Sequence, residues 1–236
     1  LIALLESHGI DWRWPQAPGR LAANEQQAPS GLSSPAEQVQ PAATARLSTH
    51  EKVVLFGRLF RGRPDVHPVR WEARTSNKSG YSPACSNEWR AGVCEKPRIK
   101  CGDCNRRELI PVSQDVLFRH LSGDHTVGAY PLLTDDTCHF LAVDFDEASW
   151  REDALAFAQS GRDLGVPVAL EISRSGNGAH AWIFFDRQVP ARDARRLGTA
   201  LISRTCASTR QLELGSYDRL FPNQDTMPKG GFGNLI

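Results

Sequence analysis

Apolar residues recur every three to four positions in three stretches of the chain and crowd into short runs in three others. The first stripe is Val53, Phe56, Leu59 and Phe60, and Ser48 with Glu51 just before it carries the signature of a capping box. The second is Trp150, Ala154, Phe157, Gly161 and Leu164, preceded by Ser149 and Glu152 as another box and stopped by Gly165 and Pro167. Pro190 opens the third, with Ala194, Leu197 and Leu201 inward and Arg192, Arg195, Arg196 and Arg204 on its other faces. Ser113 reads as the cap of a short helix through Leu121. The unbroken runs are HFLAVDFD (139–146), VALEIS (168–173) and AHAWIFF (179–185), the last two joined by the turn RSGNG. Strands mixed with helices in this order predict an α+β fold, a sheet with helices on one face. No run of eighteen apolar residues exists, so no membrane span is expected.

Composition divides the chain. Residues 1–12 read as the end of a helix, and 15–45 are rich in Ala, Pro, Gln and Ser, the composition of a poorly ordered linker. Residues 1–46 are therefore set apart from an ordered domain over 47–236. The chain starts without Met and stops at GFGNLI, which reads as the start of a strand, so a piece of a longer protein is expected. Residues 46–107 hold 14 Lys and Arg against 6 Asp and Glu, and the remainder 14 against 21. A basic module beside an acidic one suits a polyanion-binding surface next to a metal site.

The basic stretch is irregular from 62 to 111, with no long period, as a small metal-stapled lobe would be. It contains Cys85, Cys94, Cys101 and Cys104. The last two form a C-x₂-C knuckle, and the first two can complete a tetrahedral structural zinc site. The opening residues LIALLESHGIDW lack a signal peptide's charged n-region and small-residue cleavage site, so metal is favoured over disulfides and a reducing, cytoplasmic setting is expected. Lys96, Arg98, Lys100, Arg106 and Arg107 surround the cysteines, with Trp89 among them. Cations beside an aromatic ring suit a single-stranded nucleic acid, through phosphate pairing and base stacking. Cys138 and Cys206 read as small core residues, and no spacing requires His67, His120 or His125 at a metal.

The run FLAVDFD ends on two aspartates, Asp144 and Asp146. Residues i and i+2 of a strand share a face, so the carboxylates converge while Phe145 turns to the packed side. Such a pair repels unless a proton or a cation separates the charges, and a hard divalent ion such as Mg²⁺ or Mn²⁺ is the common resolution. Two solvated acids at a strand end would read the same way from this motif alone. The turn that follows adds weight. Gly176 and Gly178 permit positive φ and close approach of the backbone to a phosphate, Ser175 and Asn177 offer neutral donors, and Arg174 adds charge. His180 then alternates with Trp182 on one strand face, with Ala181 and Ile183 on the other. A third segment, SYDRLFPNQD, offers Asp218 or Asp225 as a further carboxylate. Arg219 and Lys229 there are candidates for phosphate contact, and Gly230 and Gly231 for another tight approach.

Together these residues resemble the archaeo-eukaryotic primase superfamily, whose pattern is a strand ending D-x-D, a Ser and a His across a glycine turn, and a later acid. The resemblance is closest to the primase domain of TOTE conflict systems, which are linked to mobile elements. It rests on SGYSPACSNEW, CEKPRIKC, DDTCHFLAVDFD, RSGNGAHAWIFF and SYDRLFPNQDTMPKGGFGNLI and runs from about residue 47 to the end. It implies an RRM-like catalytic sheet over about 127–236 joined to a smaller αβ lobe with a zinc-binding insertion. It also implies template-directed nucleotidyl transfer, in which a 3′-hydroxyl attacks the α-phosphate of a (d)NTP. Asp144, Asp146 and a third acid, preferably Asp218, would hold two Mg²⁺ or Mn²⁺ ions. Ser175 and His180 would grip the triphosphate, and a helicase in the same chain or gene cluster is an expected partner. Two other functions fit parts of the sequence. A catalytically inert nucleic-acid-binding module would need neither the D-x-D pair nor His180, and a metal-dependent nuclease would not need the triphosphate cradle.

Overall fold

Ser48 accepts from the Glu51 N–H at 3.3 Å, and the Glu51 carboxylate accepts from the Ser48 N–H at 2.8 Å, so the expected box starts helix α1, Thr49–Leu59. The computed structural model to which this helix belongs describes residues 47–73, 78–211 and 214–236. The helix end expected at 1–12 and the linker at 15–45 lie outside the described residues. Ser113 caps α2, Gln114–Ser122, through the Val116 N–H, and Gly123 closes it at φ +86°. The two helices pack tightly: a Cβ on Gly57 would lie 2.7 Å from the Leu117 Cδ1.

Between them, the stretch expected to be irregular contains an antiparallel hairpin, β1 (Pro68–Glu72) and β2 (Ser79–Pro83). Its period is hard to see because prolines end it and Gly80 interrupts it. The Trp71 ring lies over that glycine, where a Cβ would meet it at 2.9 Å.

The remaining elements are β3 (Thr137–Phe145), α3 (Trp150–Asp163), β4 (Ala169–Ile172), β5 (Ala179–Pro190), α4 (Ala191–Thr209) and β6 (Tyr217–Phe221). The strands form one antiparallel sheet in the order β4-β5-β3-β6. This is the expected α+β arrangement, and alternation along β3 assigns its two faces. Leu141, Val143 and Phe145 pack with Ala154 and Phe157 of α3 and with Ala194 and Leu201 of α4. Phe140 and Ala142 point the other way and pack with Trp182 and Phe221, against which Phe60 sits. Asp144 belongs to this second, less covered face by the same alternation.

Three local expectations are corrected. Ser149 makes no cap bond to the α3 backbone. Its hydroxyl instead bonds the Asp153 carboxylate at 3.3 Å, so the Ser149–Glu152 box does not form. Leu164, expected inward, is exposed, because α3 ends at Asp163 and the chain turns through Gly165 at φ +68°. The strand expected over 179–185 continues to Pro190 and passes into α4 without a loop.

Acid sensitivity follows from the buried histidines. His67, His120 and His139 have pKa values below the ordinary 6.5, in each case chiefly through burial. Such groups take up protons more readily once unfolded, so the stability they leave intact above about pH 6.5 is lost as pH falls below it. His180 opposes this trend. Burial lowers its pKa, but the Glu171 carboxylate, Asp144 and Asp146 together raise it above 6.5. Its contribution is therefore present at low pH and lost as pH rises through its folded value. Removing one of the three isolates its share: His67→Gln should lose less melting temperature than wild type between about pH 7.5 and about pH 5.5.

Candidate active site

The carboxylates of Asp144, Asp146 and Asp218 come together, each offering an oxygen within 4.8 Å of the others. Strands β3 and β6 supply them. Asp144 is the penultimate residue of β3, and Asp146 lies just beyond its end. Asp218 reaches the group through a break in register: Asp144 pairs with Arg219 and Phe145 with Tyr217, so Asp218 is the extra residue of a bulge. Asp225 is elsewhere, in an ion pair with Arg195. The third acid left open by the sequence is thus Asp218 by position.

Burial raises the pKa of Asp144, and Asp146 and Asp218 raise it further against the pull of His180 and Arg219. Arg219 donates to Asp218 at 2.6 Å and balances part of this negative charge. A divalent cation would complete the balance, and an all-oxygen donor set suits Mg²⁺ or Mn²⁺.

His180 stands on β5 opposite Asp144, with Nε2 at 3.6 Å from the Asp144 Oδ1. Its other nitrogen faces the Glu171 carboxylate at 3.4 Å, which also accepts from the Trp182 indole at 2.8 Å. Sequence reasoning missed Glu171. The signal was its place in VALEIS, one hairpin away from His180, where an acid interrupts an apolar strand. A cleft of about 760 Å³ opens beside His180 and Trp182, lined also by Phe56, Phe60, Tyr81, Glu171 and Arg174.

The glycine turn is built as expected at one position and differently at the other. Gly176 has φ +77°. Gly178 has no positive φ. It is needed for space, because a Cβ there would lie 2.4 Å from the Asp146 Oδ1 and 2.7 Å from the Phe145 carbonyl oxygen. Gly178→Ala should therefore push the Asp146 carboxylate aside. A misplacement near 1 Å costs about 100-fold in rate, so activity should fall by about that factor, and the melting temperature should fall with it because the Phe145 carbonyl is backbone and must shift too. Ser175 stabilises the turn itself, with its hydroxyl 3.0 Å from that of Ser173 and accepting from the Asn177 N–H at 3.2 Å. Arg174 is exposed and lies 3.7 Å from Glu72, and Lys229 is exposed.

Cys85, Cys94, Cys101 and Cys104 are free thiols lining one small pocket. The Glu108 N–H donates to the Cys85 sulfur at 3.4 Å, and the Lys96 ammonium stands beside Cys101. Among the described residues, the carboxylate triad is the group of three that meets metal-ligand spacing; the thiols share a pocket without that closeness. The surrounding cations divide. Lys96 pairs with Glu88 at 2.6 Å, and Arg107 donates to the carbonyls of Cys101, Gly102 and Gly230 at 2.9–3.1 Å. These two, expected at nucleic acid, hold the lobe together. Arg98, Lys100 and Arg106 are exposed, with Arg98 paired to Glu95 and Arg106 donating to the Gly92 carbonyl at 3.0 Å. Trp89 is 68% exposed at φ +60°, with the Lys96 ammonium 5.7 Å from its ring centre.

No described helix is long and apolar enough to cross a membrane. A search of curated proteins returned no match. A family model described as TOTE conflict system, archaeo-eukaryotic primase domain, matches residues 51–236, the span that holds the acidic triad, His180 and the cysteine lobe. The chain therefore belongs to the TOTE conflict system archaeo-eukaryotic primase domain family, a primase-like group of nucleotidyltransferases.

Proposed function

We propose that the domain is a primase-polymerase that adds nucleotides from (d)NTPs to a templated 3′-hydroxyl, on an RRM-like sheet with a zinc-stapled template lobe. The observation that carries this reading is the convergence of Asp144, Asp146 and Asp218 within 4.8 Å, with His180 against them at the edge of a wide cleft. The three carboxylates would hold two divalent ions, which when bound supply a lowered pKa at the attacking hydroxyl and positive charge for the departing pyrophosphate. His180, held by Glu171 on its far nitrogen, presents its other nitrogen toward the triphosphate. The Ser175–Gly178 turn offers backbone N–H donors, and Arg174 and Lys229 offer charge. Arg219, which donates to Asp218, would offer a further cation to a phosphate bound there.

Trp89 supports a template role for the cysteine lobe. A bulky residue at positive φ is strained, and strain of this kind concentrates at functional positions. Its exposed ring would stack on a base while Arg98, Lys100 and Arg106 meet phosphates. Four thiols line one pocket, one receiving an N–H bond and one beside a lysine; they stand apart by more than ligand spacing, and a structural zinc would draw them together. Purified protein should carry one zinc per chain by elemental analysis. Cys101→Ser/Cys104→Ser should lose it and weaken single-stranded DNA binding about tenfold, since the lobe's order depends on the metal.

The testing experiment offers a primed single-stranded template with Mn²⁺ or Mg²⁺ and follows labelled nucleotide and labelled DNA in parallel. Label entering the primer supports the proposal. Label leaving the DNA identifies a nuclease, and a bound but unchanged template identifies an inert binding module.

A further inference from the structure

Asp153 lies in the first turn of α3 and is only 3% exposed, yet it contributes nothing to the acidic triad directly. Its Oδ2 accepts three bonds: from the Ser216 hydroxyl at 2.7 Å, the Ser216 N–H at 3.2 Å and the Ser149 hydroxyl at 3.3 Å. Ser216 is itself 2% exposed, and its carbonyl oxygen accepts from the Asp146 N–H at 2.8 Å. Two residues further on is Asp218. A continuous path of bonds thus runs from a buried carboxylate to the backbone of Asp146, and through Tyr217 to the bulge that presents Asp218.

We propose that Asp153 is a positioning residue, which pins Ser216 and thereby sets the spacing of Asp146 and Asp218. The proposal rests on the metal-binding reading of the triad. Asp146 and Asp218 are exposed and lie where the β3–β6 ladder ends or breaks register, so strand pairing alone does not hold them. A buried carboxylate is costly unless its lone pairs are filled, and here they are filled mainly by one residue of the segment that carries Asp218. Ser149, the residue before α3 and three beyond Asp146, touches the same oxygen at the longest of the three distances and bonds neither acid. It therefore separates the pin from the general packing of Asp153.

The test measures Mn²⁺ binding directly, by the loss of the free-ion paramagnetic resonance signal, on folded protein without nucleotide or template. Wild type, Asp144→Ala/Asp146→Ala, Asp153→Ala, Ser216→Ala and Ser149→Ala are compared, with circular dichroism melts alongside. Residues that orient metal ligands typically contribute 10- to 100-fold in affinity. Asp153→Ala should weaken Mn²⁺ binding by about that range, Ser216→Ala by less, and Ser149→Ala not at all. If Asp153→Ala does not fold, Ser216→Ala against Ser149→Ala carries the comparison. Equal Mn²⁺ affinity in wild type, Asp153→Ala and Ser216→Ala overturns the pin alone. An equal loss in Ser149→Ala and Ser216→Ala also overturns it, because the effect would then come from Asp153's seat in α3. Wild type that binds no Mn²⁺, or binds it as well without Asp144 and Asp146, overturns the metal reading itself.

Discussion

Asp144→Ala/Asp146→Ala is expected to reduce nucleotide incorporation to below about 0.1% of wild type, since a single lost charge-stabilising contact already costs 10²–10³-fold. The two side chains come from the last residues of one strand and its exit, two positions apart, and they share their neighbourhood with Asp218. Removing both leaves one exposed carboxylate already engaged by Arg219. Binding should respond in the opposite direction to rate. The double variant loses negative charge beside His180 and the cleft, so a triphosphate or single strand should be retained in a filter-binding assay while extension stops. Substantial extension by this variant would move the chemistry to other residues.

Phe145→Ala is expected to cost about 3–5 kcal/mol of stability, the usual range for truncating a fully buried aromatic residue. Its ring is completely buried and packs 5.7 Å from Phe157, in the cluster that joins β3 to α3 and α4. The cavity would open directly behind the two acids, so activity should fall along with the melting temperature. Phe145→Leu keeps most of the volume and should recover most of both. Denaturant melts give the first quantity and primer extension well below the melting temperature the second. A fully stable Phe145→Ala would mean that α3 closes over the gap.

The two effects explain why a strand would end in aspartate, phenylalanine, aspartate. Period two sends the acids to the open face and the ring to the closed one. That much was legible from FLAVDFD alone, as were the capped start of α1 and the facing of His180 and Trp182. The choice of Asp218 over Asp225 was harder, because it depends on a bulge that no local pattern announces. Glu171 and Asp153 act through partners 9 and 63 residues away; an acid inside the apolar run VALEIS is the local sign of the first, and no nearby motif marks the second. The demand for glycine at position 178 is spatial. Sequence suggests backbone freedom at a glycine, whereas here the constraint is the room its neighbour Asp146 occupies. The hairpin β1–β2 was hidden because proline and glycine sit inside strands that are short and half exposed.

Arg107 joins two segments 123 residues apart, holding the cysteine knuckle and the Gly230 carbonyl at once and lying 5.1 Å over the ring of Phe232. On paper the cysteine lobe and the loop after Lys229 look like separate modules that could be exchanged or discarded independently. The shared arginine makes them a single unit of change. A descendant that dropped the cysteines would need a new anchor for the Lys229 loop, and one that rebuilt the loop would leave the arginine bonded to the knuckle alone.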